Sequence, residues 1–380
     1  MKRNYKYIVI ACLSFRFMLG TLLVSFGMNY LKASKFFVDS SVIYDFYISL
    51  HSYKNVFQFM PFDSFKNTSK LYKIIFFNQT FSFEIFIFLA SLLYCLLFIY
   101  LIKSIEIKYN QTAFVFFLLF FVFDMAFLFQ PSKDFVSLLV SVLVLRLIIS
   151  DCKGRDVFII ILIGIYAIFF REYYIIILFL FYMLKLAATI KFKARILLFL
   201  LFAAGFSVMF YYTNYFDKVM LLRYYSYDFL SGFTNTVIRD VIPILPGEKN
   251  ILKYASNYIL IAIRLIFPVE VLWKSPSRGM IFFPLQLIIN YIFVRYIPVV
   301  SHYIKNRKTL PDVIQKESRR ITHIHIYIFS FFLVGVLFEP DFGSVFRHSM
   351  NLMPFVLYLS FSASYKNFNH STMVNQGVKV

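Results

Sequence analysis

Cysteine is nearly missing from this chain: Cys12, Cys95 and Cys152 are the only three in 380 residues. Two fall inside apolar runs and the third in a short basic loop, which excludes a disulfide framework and reads each as packing. Catalytic signatures are absent too. The sequence contains no HExxH, no GxxxxGK[ST], no GxSxG and no CxxC, which removes metalloprotease, P-loop, lipase-type hydrolase and thiol-redox readings. There is no tandem repeat, no soluble domain and no low-complexity tail beyond a polar stretch of 16 residues at the end. Acidic residues are scarce, 19 against 39 Lys and Arg, for a net charge of +20. In a soluble chain that excess would point to nucleic acid. Here the basic residues cluster in short segments between apolar runs, the pattern of positive-inside topology, and no nucleic-acid partner is expected.

Apolar residues are abundant. Sixty per cent of the chain is hydrophobic and 52 residues are Phe, so lipid is the expected solvent and the expected fold is an all-α polytopic integral membrane protein. About ten spans are predicted, near 7–31, 79–102, 112–130, 135–150, 157–170, 173–186, 196–213, 279–299, 323–338 and 349–364, within one membrane domain covering residues 1–380. The start, MKRNYKYIVIACLSF, reads as an uncleaved first helix. With the N-terminus in the cytoplasm, the loops 102–108, 151–156, 191–195 and 305–320 are cytoplasmic, and all are basic. The spans 157–170 and 173–186 are short and read as a helical hairpin with its turn below the outer surface. Outside lie a first loop, 32–78, and a large loop, 214–278, whose second part (258–279) has the apolar spacing of an amphipathic helix, interfacial or re-entrant.

Four charged elements fall on that external face: QPSKD (130–134), FFREYY (169–174), the loop 214–278 and EPDFGSVFRH (339–348). Ionisable groups near the membrane are costly and face a cavity, pair with one another or meet a ligand, so four on one face point to one polar chamber. Each also has a plainer role. Asp134 fits compensation of a helix N-terminus, Arg171 and Glu172 an ion pair at a hairpin tip, Arg347 and His348 interface anchoring, and Glu339, Asp341 and Gly343 the shaping of a turn in which glycine supplies backbone freedom. Asp124 and Arg16 lie inside apolar runs and read as buried and paired; Glu84 reads as interfacial. His323 and His325, beside Arg319 and Arg320, are weak metal candidates, and no metal site is assigned. The strings NTS (67–69) and NQT (78–80, 110–112) match a glycosylation pattern too common to use.

Cations at the outer face beside acidic groups suit a lipid carrying a diphosphate and a sugar. Arginine binds phosphate oxygens in a forked geometry and neutralises charge on a leaving diphosphate, while a carboxylate or neutral His takes the proton of an attacking hydroxyl. The stretches FEPDFGSVFRHSMNLMP, FQPSKDFVSLLV and FREYYIIILFLF resemble patterns of the Wzy-type oligosaccharide repeat-unit polymerases of O-antigen and capsule synthesis. The similarity covers under a fifth of the chain, while the overall shape, Phe-, Ile- and Tyr-rich with one large late external loop, is similar as well. The resemblance implies a GT-C-like fold in the bacterial inner membrane and polymerisation of undecaprenyl-diphosphate-linked oligosaccharides at the periplasmic face. It also implies a chain-length regulator as partner, and neither metal nor other cofactor. It points to Arg347 and Arg171 as diphosphate-binding, with Lys133, Arg264, Arg278 and Arg223 behind them. Glu339, Asp341, His348 and Glu172 stay interchangeable as the catalytic base. The chain departs from the family's paired Arg-rich external loops, since residues 32–78 carry Lys instead. Two other readings fit a chain of this topology: a single-addition GT-C glycosyltransferase using a polyprenyl-phosphate sugar, with Asp39 and Asp45 available in the first loop, and a lipid-linked oligosaccharide flippase.

Overall fold

The computed structural model describes residues 38–50, 56–61, 63–104, 132–212, 225, 237–244, 248, 250–339 and 341–361. These form helices α1 (Val38–Ser49), α2 (Ser64–Ile75), α3 (Phe83–Ser104), α4 (Lys133–Ile149), α5 (Arg155–Phe169), α6 (Tyr174–Thr189) and α7 (Phe192–Tyr212). They continue as α8 (Ile251–Ile266), α9 (Val271–Lys274), α10 (Pro276–Arg295), α11 (Ile297–Asn306), α12 (Asp312–Phe338), α13 (Phe342–Ser349), a 3-10 turn (Met350–Leu352) and α14 (Met353–Phe361). Among the described residues no strand forms, and one isolated antiparallel bridge joins Val237 to Asp341.

Local chemistry sets the helix ends. The Asp63 carboxylate accepts from the Lys66 N–H at 3.1 Å to open α2, Ser132 Oγ from the Phe135 N–H at 3.3 Å to open α4, and Asn250 Oδ1 from the Leu252 and Lys253 N–H groups to open α8. Pro276 opens α10, where its missing N–H costs nothing. Helix α8 stops at Ile266, because Phe267 precedes Pro268 and is held out of the helical region.

Three helical stretches are long and apolar enough to cross a bilayer: Phe83–Leu101 in α3, Phe282–Asn306 running through α10 into α11, and Asp312–Phe338, which is α12. Helices α4, α5 and α6, with 17, 15 and 16 residues, lie over three of the other expected spans. At ~1.5 Å per residue they are about 23–26 Å long, short of ~30 Å of hydrocarbon. Their outward faces are apolar all the same. On α5, Val157, Phe158, Ile160, Ile161, Ile165 and Ile168 are exposed while Ile159, Ile163, Tyr166 and Ala167 are buried, so the helix is hydrophobic all round, as one facing lipid is. The described chain is thus helical with membrane character. The expected spans 7–31 and 112–130, with Cys12, Arg16 and Asp124, lie outside the described residues.

Several boundaries differ from expectation. The span predicted at 323–338 is the end of a 27-residue helix that starts at Asp312, so much of the expected loop 305–320 is helical. The stretch 258–279 is not one helix: α8 begins earlier and ends at Ile266, α9 is one turn, and residues from Pro276 onward belong to α10. The span expected at 349–364 is broken by the 3-10 turn, and the loop 32–78 contains α1 and α2.

The described helices belong to two compact units, Met1–Leu178 with Met350–Val380, and Phe179–Ser349. In the first, α4 is the hub, packed on α2, α3, α5, the 3-10 turn and α14. Rings of Tyr47, Tyr72, Phe76 and Phe86 interlock with centroids 4.6–6.4 Å apart where α1, α2 and α3 meet. Helix α2 is unusual in burying a polar face of Asn67, Thr68, Ser69, Lys70 and Lys73. In the second unit α12 packs on α8 and α11, and α10 folds against α9 so closely that a Cβ at Gly279 would lie 2.6 Å from the Val271 carbonyl oxygen.

Candidate functional site

In the second unit, the charged stretch that was expected to be a turn is mostly a helix. Only 339–341 links α12 to α13; Gly343, Arg347 and His348 are helical. Asp341 closes the start of α13, its Oδ1 accepting from the Ser344 N–H at 3.1 Å and its Oδ2 from the Ser344 hydroxyl at 2.6 Å. Gly343 matters here for space and not for backbone freedom: a Cβ at this position would sit 2.9 Å from Asp341 Oδ1. Among the described residues the one glycine with positive φ is Gly154. Phe342 and Phe346, one helical turn apart, are buried, and Phe346 stacks on Phe282 of α10 with ring centroids 4.2 Å apart.

That anchoring brings His348, in the last turn of α13, onto Glu339, the residue that ends α12. His348 Nδ1–H donates to Glu339 Oε1, with the two side chains only 12% and 7% exposed. In the neutral tautomer a proton on Nδ1 leaves the Nε2 lone pair as acceptor, and the carboxylate fixes the orientation of the ring. Arg347 adjoins His348 on the same turn.

The described part of the large loop is stitched to this junction. Val237 bridges to Asp341, Asn257 of α8 accepts from the Val241 and Ile242 N–H groups at 3.1 and 2.8 Å, and its Nδ2 donates to the Ile242 carbonyl at 2.8 Å. Arg264, expected to bind diphosphate, has an internal task. Its Nε and Nη2 meet Glu270 Oε1 at 2.7 and 2.6 Å and its Nη1 donates to the Arg239 carbonyl at 2.7 Å, which occupies three of its five N–H groups. Glu270 also holds Lys274 at 3.2 Å. Arg278 is in the first turn of α10, and Arg223 lies outside the described residues.

Arg171 and Asp134 meet in the first unit. Arg171 Nη2 donates to Asp134 Oδ1, and Nη1 donates to the Tyr173 hydroxyl at 2.6 Å. Both ionic groups are buried, with side chains 6% and 1% exposed. Burial works against the guanidinium charge, but Tyr173, Asp134, Tyr166 and Tyr174 outweigh it, and the pKa of Arg171 is raised overall. The pair ties the start of α4 to the turn between α5 and α6, so Asp134 serves the helix N-terminus and Arg171 together. Glu172, the partner expected for Arg171, is exposed at that turn instead. Lys133 Nζ lies 4.2 Å over the Phe65 ring of α2.

Some of what the fold uses had no signal in the sequence. Asn67 is fully buried in α2, donating to the Met60 and Phe169 carbonyls at 2.6 Å each, so its NTS string is a packing element and not a modification site. Lys73 donates to Thr80 Oγ1 at 2.6 Å and lies 4.5 Å over the Tyr47 ring; burial lowers its pKa. Asp63 is of the residue type that caps helix starts, a signal of the start of α2 that the sequence did carry. His323 and His325 are buried on α12, and His325 Nε2 pairs with the Phe293 carbonyl oxygen at 2.7 Å. Among the described residues no group of three His, Cys, Asp or Glu side chains is arranged to hold a metal. No family model matches the chain, and no curated protein or solved structure is significantly similar to it.

Proposed function

We propose that this chain is a polytopic membrane glycosyltransferase with about ten crossings and a GT-C-like fold. In this reading it joins undecaprenyl-diphosphate-linked oligosaccharide repeat units at the periplasmic face of a bacterial inner membrane, for O-antigen or capsule, with a chain-length regulator as partner. The observation that carries it is the Glu339–His348 pair at the end of a membrane-length helix, beside Arg347. Hydrogen bonding supports a choice among candidates that were interchangeable in the sequence. Asp341 spends its carboxylate on capping α13, Glu339 on holding His348, and Glu172 is exposed on a different unit, which supports His348 Nε2 as the base in this reading.

The reaction follows from that assignment. His348 Nε2 takes the proton of an acceptor sugar hydroxyl, the oxygen bonds to the donor's anomeric carbon, and the bond from that carbon to the diphosphate breaks, its electron pair leaving with the diphosphate. Arg347 meets the charge that accumulates on the leaving group. His348→Ala, Glu339→Gln and Arg347→Ala are expected to leave the protein in the membrane while cells display single repeat units in place of long chains. General-base loss alone is worth about 10²- to 10⁴-fold in rate. Long chains of normal length in all three variants would refute the assignment, and absence of any repeat unit from the outer face would identify a flippase.

A further inference from the structure

Within the second unit an apolar groove of about 260 Å³ runs between the α6–α7 corner and the helices α10, α11 and α12. Its walls are side chains such as Leu184, Phe199, Phe293, Val300, Ile304 and Phe329. Phe199 and Phe329 are 41% and 40% exposed, which makes the groove open along its outer side. His325 lines its deep end with its ring against Phe293, centroids 4.5 Å apart, and its Nε2 turned to the Phe293 carbonyl. From Phe293 to Ile304 the helical rise of ~1.5 Å per residue gives a length of ~16 Å, about half of a ~30 Å hydrocarbon core. The volume falls below the ~300–1,000 Å³ of sites that enclose a whole drug-sized ligand. A single hydrocarbon chain, one leaflet deep, fits both limits.

The shallow end of the groove is basic. Arg195 lines it, donating to the Ala187 carbonyl at 2.8 Å, and Ile304 borders the α11–α12 turn. Arg307 of that turn donates to the Thr189 carbonyl at the end of α6, so two loops expected on one side of the membrane are in direct contact. Lys191, Lys193, Lys305 and Lys308 are exposed around this corner. An apolar slot one leaflet deep, ending at exposed lysines where phosphate headgroups would lie, is complementary to an anionic lipid and has nothing to offer a zwitterionic one in particular.

We infer that this groove is a specific seat for an anionic phospholipid, one acyl chain lying along Phe199, Phe293 and Phe329 and the headgroup phosphate meeting the lysines of the α6–α7 and α11–α12 turns. The site is separate from the Glu339–His348 junction and does not depend on the function proposed for it.

Native mass spectrometry of the detergent-purified full chain, titrated with phosphatidylglycerol or phosphatidylcholine of identical acyl composition, tests this. Saturable retention of one phosphatidylglycerol, at least about tenfold tighter than phosphatidylcholine, is expected. Reversing two exposed charges (Lys191→Glu with Lys193→Glu) is expected to abolish the preference, and filling the slot (Ile304→Trp) to abolish retention of both lipids at unchanged melting temperature. Should Ile304→Trp fail to fold, Phe199→Ala, on the exposed wall, is expected to weaken retention several-fold. Equal retention of the two lipids by the native chain, or native retention by a folded groove variant, would overturn the inference.

Discussion

Replacing Asp134 by Leu strands the Arg171 guanidinium in a site where its side chain is 6% exposed. Little water reaches it, so solvent screening gives no discount. Breaking a buried pair from one side costs ~3–5 kcal/mol. The Tyr173 hydroxyl still accepts from Arg171 Nη1, which places this case near ~3 kcal/mol at the lower end of that range. Removing both charges is a different perturbation. Asp134→Leu with Arg171→Leu leaves no orphaned ion, and buried pairs exchanged for apolar side chains are often neutral or stabilising, by ~1–4 kcal/mol. The loss of Asp134 from the first turn of α4 costs ~0.3–1 kcal/mol in both cases and cancels in a double-mutant cycle. At ~2–4 °C per kcal/mol for a domain of 150–250 residues, the single variant is expected to melt roughly 6–12 °C below the native protein and the double variant close to it. Differential scanning fluorimetry in detergent reads both. If Asp134→Leu melts within 2 °C of the native protein, or if the double variant shows the sum of two single losses, the pair is not the structural clamp described. A stable Arg171→Leu protein that makes no long chains would support the diphosphate-binding role expected of Arg171.

Gly343→Ala places a methyl group 2.9 Å from Asp341 Oδ1, so the carboxylate must shift and its capping bonds to Ser344 weaken. A loss of ~1 kcal/mol is expected, together with loss of chain extension because His348 no longer registers on Glu339; Ser344→Ala, which removes one of the two capping bonds, is expected to give a milder version of both. Burial raises the pKa of Tyr47 to about 12 and raises that of Tyr72. The folded protein then keeps protons that the unfolded chain loses above pH 10, so stability falls as pH rises from 10 towards 12. Burial lowers the pKa values of Lys70 and Lys73, which acts in the opposite sense only below the ordinary lysine value of 10.5. Melting temperature measured between pH 9 and 12 is expected to drop above about pH 10.5, with a shallower drop for Tyr47→Phe, and a profile unaffected by that substitution would show that Tyr47 is not the titrating group.

Apolar runs made α3 to α7, α10 and the second half of α12 legible, because a run that needs lipid announces itself by composition alone. Their ends were less so. The expected start of the span at 323 missed the 11 preceding residues of α12, since Lys316, Glu317, Arg319 and Arg320 look like a solvated loop when only hydropathy is read. Helix α13 had no periodic signal long enough to trust. It exists because Asp341 caps it and Phe342 and Phe346 find a surface to bury against, and the stacking partner Phe282 is 64 positions upstream of Phe346. The same distance problem hid the Arg171–Asp134 pair, whose members are 37 residues apart. Helix α2 misled for the opposite reason: a polar face that reads as solvated is the face it buries, held by bonds to Met60, Phe169 and Ile43 carbonyls. Residue chemistry was therefore visible in the sequence, while its pairing was set by packing.

Under the proposed function, the junction at which Glu339 and His348 meet bears on how this pair would take a proton. A helix C-terminus carries a partial negative charge of roughly half a unit, felt within the last turn. His348 lies in the last turn of α13, and its partner Glu339 terminates α12. Only α12 ends at this junction, since α13 runs straight on into the 3-10 turn and α14, so it is Glu339, at the end of α12, that sets negative charge against the imidazole. That charge opposes a second carboxylate there. Asp341 escapes it by sitting at the N-terminal end of α13, where a negative charge is favourable and two donors from Ser344 are waiting. Replacing the base by His348→Glu would set a second carboxylate against Glu339, so that variant is expected to be inactive and less stable than His348→Ala, whereas a base chosen only for its lone pair would tolerate the change.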